Sequence, residues 1–169
     1  EIAMTNKNYV YRAFPKFTVV SLPSGTTSGS SVIGKFDITA MGGEVKFSTT
    51  NAASGSLVFD TLSSGSLATT ISGTLYEDAT NTILDTASLG TAANNASLSF
   101  TSFGNSLTIA SGQTKRIRVE ADLSSFNDPA QTSPALGADY FQLILRDEAD
   151  VIKWVDGAGA EAIGDATNV

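Results

Sequence analysis

The sequence predicts an all-β protein: an antiparallel two-sheet sandwich of immunoglobulin-like or jelly-roll type, with about ten to twelve short strands. Runs of about five to ten residues alternate apolar with polar side chains and are rich in β-branched and aromatic residues. Gly, Ser, Asn or Asp closes each run, and amphipathic stretches with the helical period are nearly absent. We see no repeat of fixed period, which disfavours a solenoid or a propeller.

The predicted strands follow one another along the chain with polar, Gly/Ser-rich connections. The second of them is typical, because Phe36, Ile38 and Ala40 alternate with polar side chains and so predict one buried face. The strands are predicted at residues 16–22, 32–41, 44–49, 56–62, 69–77, a short run around 83–84, 96–103, 107–110, 115–123, 140–146 and 151–155.

Two features of this pattern lead to specific structural predictions. Gly42-Gly43 separates two alternating runs, and paired glycines supply the positive φ that a two-residue hairpin turn needs, so we predict a hairpin there. The run 140–146 is nearly all apolar, so we predict a central strand.

The alternation also predicts which side chains form the core. Each predicted strand should turn one set of alternate residues inward. The predicted inward residues are Phe36, Ile38, Val45, Phe47, Leu57, Phe59, Leu98, Phe100, Ile117, Val119, Phe141, Leu143 and Leu145.

Composition excludes several kinds of chemistry. The chain has 169 residues, no histidine and no cysteine. Disulfides, thiolate nucleophiles, imidazole bases and cysteine- or histidine-ligated metals are therefore excluded. With 41% hydrophobic and 16% charged residues, a single domain of this length is expected to bury about 70% of its unfolded surface.

Charge argues against nucleic acid as a partner. The formal net charge is −7, and the one basic cluster, Lys115-Arg116 with Arg118, is followed by Glu120 and Asp122. We interpret it as an outward strand face of mixed charge, because phosphate binding needs a clustered basic surface. The chain contains no run of 18 apolar residues and starts without a basic and apolar leader pattern, so we expect no membrane insertion of this segment.

Carboxylates are the remaining candidates for metal binding or catalysis. Asp147, Glu148 and Asp150 lie in a predicted turn where they could converge on calcium, although no EF-hand spacing accompanies them. A solvated acidic turn and a calcium site both stay open, and no other cofactor is expected. A second acidic group contains Glu77, Asp78 and Asp85. Because sugar-stacking aromatic residues are few, we expect no glycosidase and predict that the protein is not an enzyme.

Trp154 is the single tryptophan of the chain, at the end of the last predicted strand. Two interpretations are open: a ring that covers the core, or an exposed ring that stacks on a ligand.

Four segments carry a resemblance to known proteins. They are Tyr9-Val10-Tyr11-Arg12-Ala13-Phe14-Pro15-Lys16-Phe17, Gly34-Lys35-Phe36-Asp37-Ile38-Thr39-Ala40, Leu107-Thr108-Ile109-Ala110-Ser111-Gly112-Gln113-Thr114-Lys115 and Trp154-Val155-Asp156-Gly157. Over residues 9–157 the chain resembles β-sandwich modules of uncharacterised surface proteins of candidate-phylum bacteria. The resemblance implies a first strand, a core strand, a turn before a late strand and a terminal Trp strand, and it implies no catalytic residue.

The chain ends differ in composition from the body, which predicts three parts: an N-terminal arm at residues 1–8, a β-sandwich domain at 9–156 and a Gly/Ala-rich C-terminal arm at 157–169. Two interpretations of the ends are open, arms that contact a neighbour or simple fraying. An open sandwich has edge strands that accept a strand from a neighbour. The apolar residues that would seat such an arm are Ile2, Met4, Ile163 and Val169.

Low charge, abundant small polar residues and the missing Cys and His favour an extracellular or cell-surface protein. We therefore expect a structural subunit that self-assembles into a filament, tube or surface layer, with other copies of the same chain as its partner. The N-terminal arm is the expected donor, because Ile2 and Met4 alternate with smaller or polar residues whereas the C-terminal arm is glycine-rich. The alternative is a cell-surface adhesion or glycan-binding module.

Overall fold

The computed structural model describes residues 12–23, 29–48, 55–91, 96–127, 140–146, 151–159 and 161–164. Within these residues the protein is all-β, with antiparallel strand pairs and no helix. The strands are β1 (Phe14–Val19), β2 (Ser30–Met41), β3 (Val45–Phe47), β4 (Leu57–Ser63), β5 (Ser66–Leu67), β6 (Ile71–Glu77), β7 (Thr82–Leu89), β8 (Ser97–Phe100), β9 (Leu107–Ile109), β10 (Thr114–Asp122), β11 (Phe126–Asn127), β12 (Phe141–Leu145), β13 (Ile152–Asp156) and β14 (Glu161–Gly164).

The strands form a β-sandwich. One layer is a five-stranded sheet in the order β1-β2-β10-β6-β7. The other contains the sheets β12-β4-β8 and β14-β13-β3-β9, which a bridge between Ser56 and Lys153 connects. A short ladder pairs β11 with β5. Twelve of the described strands lie in the three larger sheets, which agrees with the predicted architecture.

Aromatic side chains fill the space between the layers. The Phe36 ring of β2 lies 4.9 Å from the Phe59 ring of β4, and Phe59 makes an edge contact with Phe100 at 6.0 Å. Ten of the thirteen residues predicted to point inward are buried, and the other three, Phe141, Leu143 and Leu145 of β12, are half-buried against the core. The period-two alternation therefore predicted correctly which side chains of the core strands face inward.

The predicted hairpin at Gly42-Gly43 is wrong. β2 pairs with β1 and β10, whereas β3 pairs with β13 and β9 in the other layer. Gly42 has the positive φ of 76° that the sequence suggested, but it serves a corner between sheets. A Cβ at Gly42 would lie 2.6 Å from the carbonyl oxygen of Arg12, so the corner packs directly on the chain that leads into β1.

The prediction of a central strand at 140–146 is also wrong, because among the described residues β12 pairs with β4 alone and lies at the edge of its sheet. Its side chains alternate between half-buried and exposed, and Ile144 is 50% exposed. Three strands were not predicted at all: β5, β11 and β14. The first two have two residues each, and β14 lies within the predicted C-terminal arm, where it pairs with β13.

Candidate functional site

Two neighbouring strand edges have no strand partner among the described residues. β1 is the first strand of the five-stranded sheet, and β12 is the first strand of the three-stranded sheet in the facing layer. A groove of about 570 Å³ lies between them. Its walls are residues 19–22 and 140–143, and its floor is residues 33–36 of β2.

The free edge of β12 presents a regular row of backbone groups. Ser64 donates its N–H to the carbonyl oxygen of Tyr140 at 3.1 Å, and Arg146 donates to that of Val58 at 2.9 Å. In an antiparallel ladder, alternate residues face the partner strand. The even-numbered residues of β12 therefore face β4, and the N–H and C=O groups of Phe141, Leu143 and Leu145 face outward. These three residues can bond to an additional strand.

The same reasoning applies to β1. Val20 donates its N–H to the carbonyl oxygen of Lys35 at 3.0 Å, so Pro15, Phe17 and Val19 turn their backbone groups away from β2. Pro15 has no N–H to offer. The outer edge of β1 is thus weaker as a ladder than the edge of β12.

Val19 shows that this part of the core is uncovered. It lies opposite Phe36 in the ladder, so both side chains are on the core face of the sheet. Phe36 is 2% exposed, whereas Val19 is 74% exposed. Along the same face, Phe17 is half-buried and Pro15 is buried. The groove is therefore open at Val19 and closes toward Pro15.

Gly34 shapes the floor of the groove. A Cβ at this position would lie 3.0 Å from the Phe36 ring and 3.1 Å from Cδ1 of Leu143. Leu143 reaches across from β12 and rests where that side chain would be. The absence of a side chain at Gly34 lets the two layers meet beneath the groove.

The opposite edge of the five-stranded sheet, at β7, is covered. Gly104 donates its N–H to the carbonyl oxygen of Leu84 at 2.8 Å, and the Asn105 side chain donates to that of Ile83 at 2.7 Å. Asp85 accepts backbone N–H groups from Thr86 at 2.7 Å and from Ser102 at 2.8 Å. The segment after β8 thus covers the edge of β7, which makes the open groove at β1 and β12 an asymmetric feature.

Arg146 holds β12 against β4. Its Nε donates to the Asp60 carboxylate at 3.0 Å, and one of its terminal nitrogens donates to Ser97 at 2.6 Å. The hydrogen bond from Arg146 is the main cause that lowers the pKa of Asp60. This cluster ties three strands together, so β12 is positioned by contacts within its own chain.

The predicted face of mixed charge is confirmed on the outside of the five-stranded sheet. Arg116 donates two hydrogen bonds to Asp37, at 2.7 and 2.9 Å, and holds the pKa of that carboxyl below its usual value. Arg118 bonds to Glu120 at 2.7 Å and to Asp78 at 3.2 Å. Ion pairs thus compensate the basic cluster locally.

Lys115 forms a separate ion pair, since its Nζ lies 2.8 Å from Glu77. Asp78 is shared between Arg118 and Lys35, the latter at 3.5 Å. The second acidic group of the sequence is therefore engaged in ion pairs and, for Asp85, in backbone hydrogen bonds. Among the described residues no group of three or more acidic side chains could hold a metal ion.

The calcium candidates Asp147, Glu148 and Asp150 lie outside the described residues, as do Ile2, Met4 and Val169. The backbone of Ile163 is described: it lies in β14 opposite Lys153. Within the part of the chain that the structure describes, no helix is long and apolar enough to cross a membrane.

The Trp154 side chain is part of the buried core. It is 1% exposed, and its Nε1 donates a hydrogen bond to the carbonyl oxygen of Ala13 at 2.9 Å. This contact links β13 to the residues that precede β1. Of the two interpretations of this ring, core burial is confirmed.

The sequence did not indicate the groove residues as a site. Val19, Gly34 and Tyr140 carry no chemical motif, and the apolar run of β12 favoured a central strand. Pro15 was the available signal, since proline within a strand is typical of a sheet edge.

Comparisons with family models, with curated proteins and with solved structures found no match to this chain. The geometry of the groove therefore supplies the functional argument.

Proposed function

We propose that the protein is an extracellular or cell-surface structural subunit that self-assembles into a filament, tube or surface layer by strand donation between copies. The observation that carries this proposal is the apolar groove between the unpaired edges of β1 and β12, with Val19 exposed on the core face. An added strand would cover the core there and bond to the free backbone groups.

The groove suits an extended peptide better than a compact ligand. It is bounded by strand edges on both sides, and the β12 edge repeats its backbone donors and acceptors at every second residue. A strand with apolar side chains at alternate positions would direct them to the floor while its backbone continues the sheet.

The N-terminal arm supplies a segment of this kind. Ile2 and Met4 alternate with Glu1, Ala3 and Thr5. The C-terminal arm is the weaker donor, because its residues 161–164 already pair with β13 in the same chain. Its glycines also raise the entropy cost of forming a strand.

The described chain enters β1 at one end of this strand, and the groove opens at the other end. The chain reaches β1 at Phe14, whereas the groove opens at Val19, about 17 Å further along at about 3.3 Å per residue. A contact that joins different surfaces of two copies is heterologous and generates a ring or an open polymer. Head-to-tail growth follows from this arrangement.

The energetics require both side chains and backbone. Burying Ile2 and Met4 would contribute about 1.5–3 kcal/mol each. Association costs about 4–15 kcal/mol in lost freedom of motion, so the ladder hydrogen bonds, at about 0.5–1.5 kcal/mol net each, must add to the burial. The adhesion alternative stays a prediction, since no observation on the described residues favours it.

Electron microscopy of full-length protein and two matched variants tests the proposal. Val19→Lys places a charge in one wall of the groove, at a position already 74% exposed, so the subunit should fold but not assemble. Thr18→Lys changes the neighbouring exposed residue on the other face of β1 and should assemble like the parent. Deletion of residues 1–7 should also give a folded monomer.

Ordered polymers from the parent and from Thr18→Lys, with monomers from Val19→Lys, would support strand donation. A parent protein that stays monomeric at high concentration would contradict the proposal. Assembly that survives deletion of residues 1–7 but fails without residues 157–169 would reverse the choice of donor.

A further inference from the structure

We infer that the donated arm pairs with the free edge of β12, comes from a second copy of the chain and runs antiparallel to β12. This inference rests on the proposed function and adds the acceptor strand and the direction of the arm. Three features of the groove carry it: the composition of the two edges, the position of the opening and the end of the domain from which the arm departs.

The choice of edge follows from the backbone groups. β12 offers the N–H and C=O groups of Phe141, Leu143 and Leu145 without a proline among them. On β1 the corresponding outward row includes Pro15, which lacks the donor. A continuous ladder is therefore available on β12 and is interrupted on β1.

The direction follows from the opening. Exposure on the core face of β1 falls from Val19 through Phe17 to Pro15, so the groove admits a chain at the Val19 end. A donor copy outside that end is tethered to its arm through residues 9–12. Residues of the arm with higher numbers must then lie nearer the opening, and residues with lower numbers further inside.

This orientation determines the pairing with each wall. The opening lies beside the end of β1 and the start of β12, at Val19 and Tyr140. An arm whose residue numbers increase toward the opening is parallel to β1 and antiparallel to β12. The antiparallel ladder is the more stable arrangement per residue, so tether and hydrogen bonding favour the same direction.

An arm that folded back into the groove of its own chain would run the other way. It would start from the Arg12 end of β1, and its residue numbers would decrease toward the opening. Residues 1–11 can span at most about 36–40 Å, which exceeds the length of β1, so reach alone does not separate the two cases. The direction of the arm distinguishes the two cases.

Cysteine cross-linking measures this direction, because the native chain contains no cysteine and each double variant has just two thiols. One cysteine replaces Leu143 or Phe141, and the other is placed in turn at residues 2 to 6 of the full-length chain. Directly opposed residues in an antiparallel pair are about 4.5–5.5 Å apart at Cα, within the range of about 4.4–6.8 Å that a disulfide accepts. Products are separated on non-reducing gels after oxidation of the assembled protein.

We expect cross-links at even arm positions, which lie on the same face as Ile2 and Met4, and a ladder of covalent multimers. The best arm position should rise by two when the acceptor cysteine moves from Leu143 to Phe141, toward the opening. A fall by two, or an internal disulfide within monomers, would overturn the inference. So would an assembled protein without cross-links at any even position, and in that case the proposed function would survive. Failure to assemble at all would overturn both.

A second pair of acceptor positions covers the case in which half-buried Leu143 or Phe141 does not tolerate the change. Val19 and Ser21 line the other wall, and Val19 is largely exposed. Moving the cysteine from Val19 to Ser21 also moves it toward the opening, so the best arm position should again rise by two. A cysteine at Thr18, on the outer face, should give no specific cross-link.

Discussion

Val19 and Phe36 share one face of the same ladder and yet differ in exposure from 74% to 2%. Full burial of a valine side chain stabilises a fold by about 1.5–3 kcal/mol relative to leaving it in water. Nothing in the local sequence distinguishes Val19 from a core residue, because exposure depends on whether the facing layer extends over it. The exposure of Val19 therefore shows that the facing layer does not extend over this residue.

The lowered pKa values of two carboxyls predict how the free energy of unfolding depends on pH. Arg116 lowers the pKa of Asp37, and Arg146 lowers that of Asp60, mainly through hydrogen bonds. Because the unfolded pKa of Asp is about 3.9, the unfolded chain binds more protons in acid than the folded chain. This stabilisation is fully present above about pH 4 and is lost as the pH falls through the lower folded-state pKa values.

Urea unfolding at several pH values measures this dependence. The midpoint should fall as the pH is lowered from 5 toward 2.5. The double variant D37N and D60N should be less stable at pH 7 and should lose less stability in acid than the parent. An unchanged acid slope in the double variant would show that other carboxyls dominate.

Trp154→Phe should destabilise the fold. The change removes the hydrogen bond from Nε1 to the carbonyl oxygen of Ala13 at a site that is 1% exposed. An unpaired buried acceptor costs about 1–3 kcal/mol, and the smaller ring adds a packing loss. Tyr140→Phe is the control, since Tyr140 is 44% exposed and should change the free energy of unfolding by less than about 0.5 kcal/mol. Equal effects of the two changes would contradict the assignment.

At the scale of the element, the connection from β2 to β3 shows that the local geometry of a turn does not determine which strands pair. The sequence indicated a turn with positive φ at Gly42, and the structure has one. What the glycines could not indicate is whether the next strand folds back in the same sheet or crosses to the other layer. That choice depends on β9 and β13, which come much later in the chain and supply the partners of β3.

Three glycine-to-alanine changes test the tight corner. In Gly42→Ala the added Cβ would lie 2.6 Å from the carbonyl oxygen of Arg12, and the residue would have to adopt a positive φ of 76°. Gly112→Ala meets only a positive φ of 74°, with nothing within 4 Å, and should cost about 1–2 kcal/mol. Gly90→Ala meets neither obstacle and should be neutral or stabilise by about 0.4–1 kcal/mol.

Chemical denaturation should therefore rank the three variants, with Gly42→Ala the least stable and Gly90→Ala the most stable. If Gly42→Ala were no less stable than Gly112→Ala, the corner would not be packed against Arg12 as described.

The edge position of β12 illustrates a second limit of sequence patterns. Its residues Phe141 to Leu145 are as apolar as those of a central strand, because half of them face the core and the others include the exposed Ile144. Ile144 lies on the sheet face that points away from the core. An apolar residue on that face makes the run resemble a strand buried on both faces, although among the described residues β12 has a partner on one side only.

For the whole molecule, the β-sandwich and most of its core could be predicted from the sequence. Alternation with period two sets which side chains face inward, and this property is local to each strand. Sheet order is not local, so the positions of β1 and β12 at the ends of their sheets, and the groove between them, could not be predicted from the sequence. The assembly residues were proposed from the composition of the arms, and the groove proposed to receive an arm could be identified only from the fold.

Asymmetry is the property of the whole molecule that matters most for assembly. Hydrogen bonds from the segment after β8 cover the edge of β7, while the edges of β1 and β12 have no strand partner within the described part of the chain. The described chain enters β1 at Phe14, and the groove opens at the other end of this strand. In the proposed assembly each subunit has one acceptor and one donor, so each defect can be assigned to one of the two.

Mixing two defective subunits is the most direct test of strand donation. The chain without residues 1–7 keeps an intact groove but has no donor, and Val19→Lys keeps its arm but has a blocked groove. Each should be monomeric alone, and an equimolar mixture should form one-to-one dimers that do not grow, as measured by light scattering after size-exclusion chromatography. If the parent protein polymerises and the mixture still contains only monomers, the arm does not enter this groove and the account is wrong.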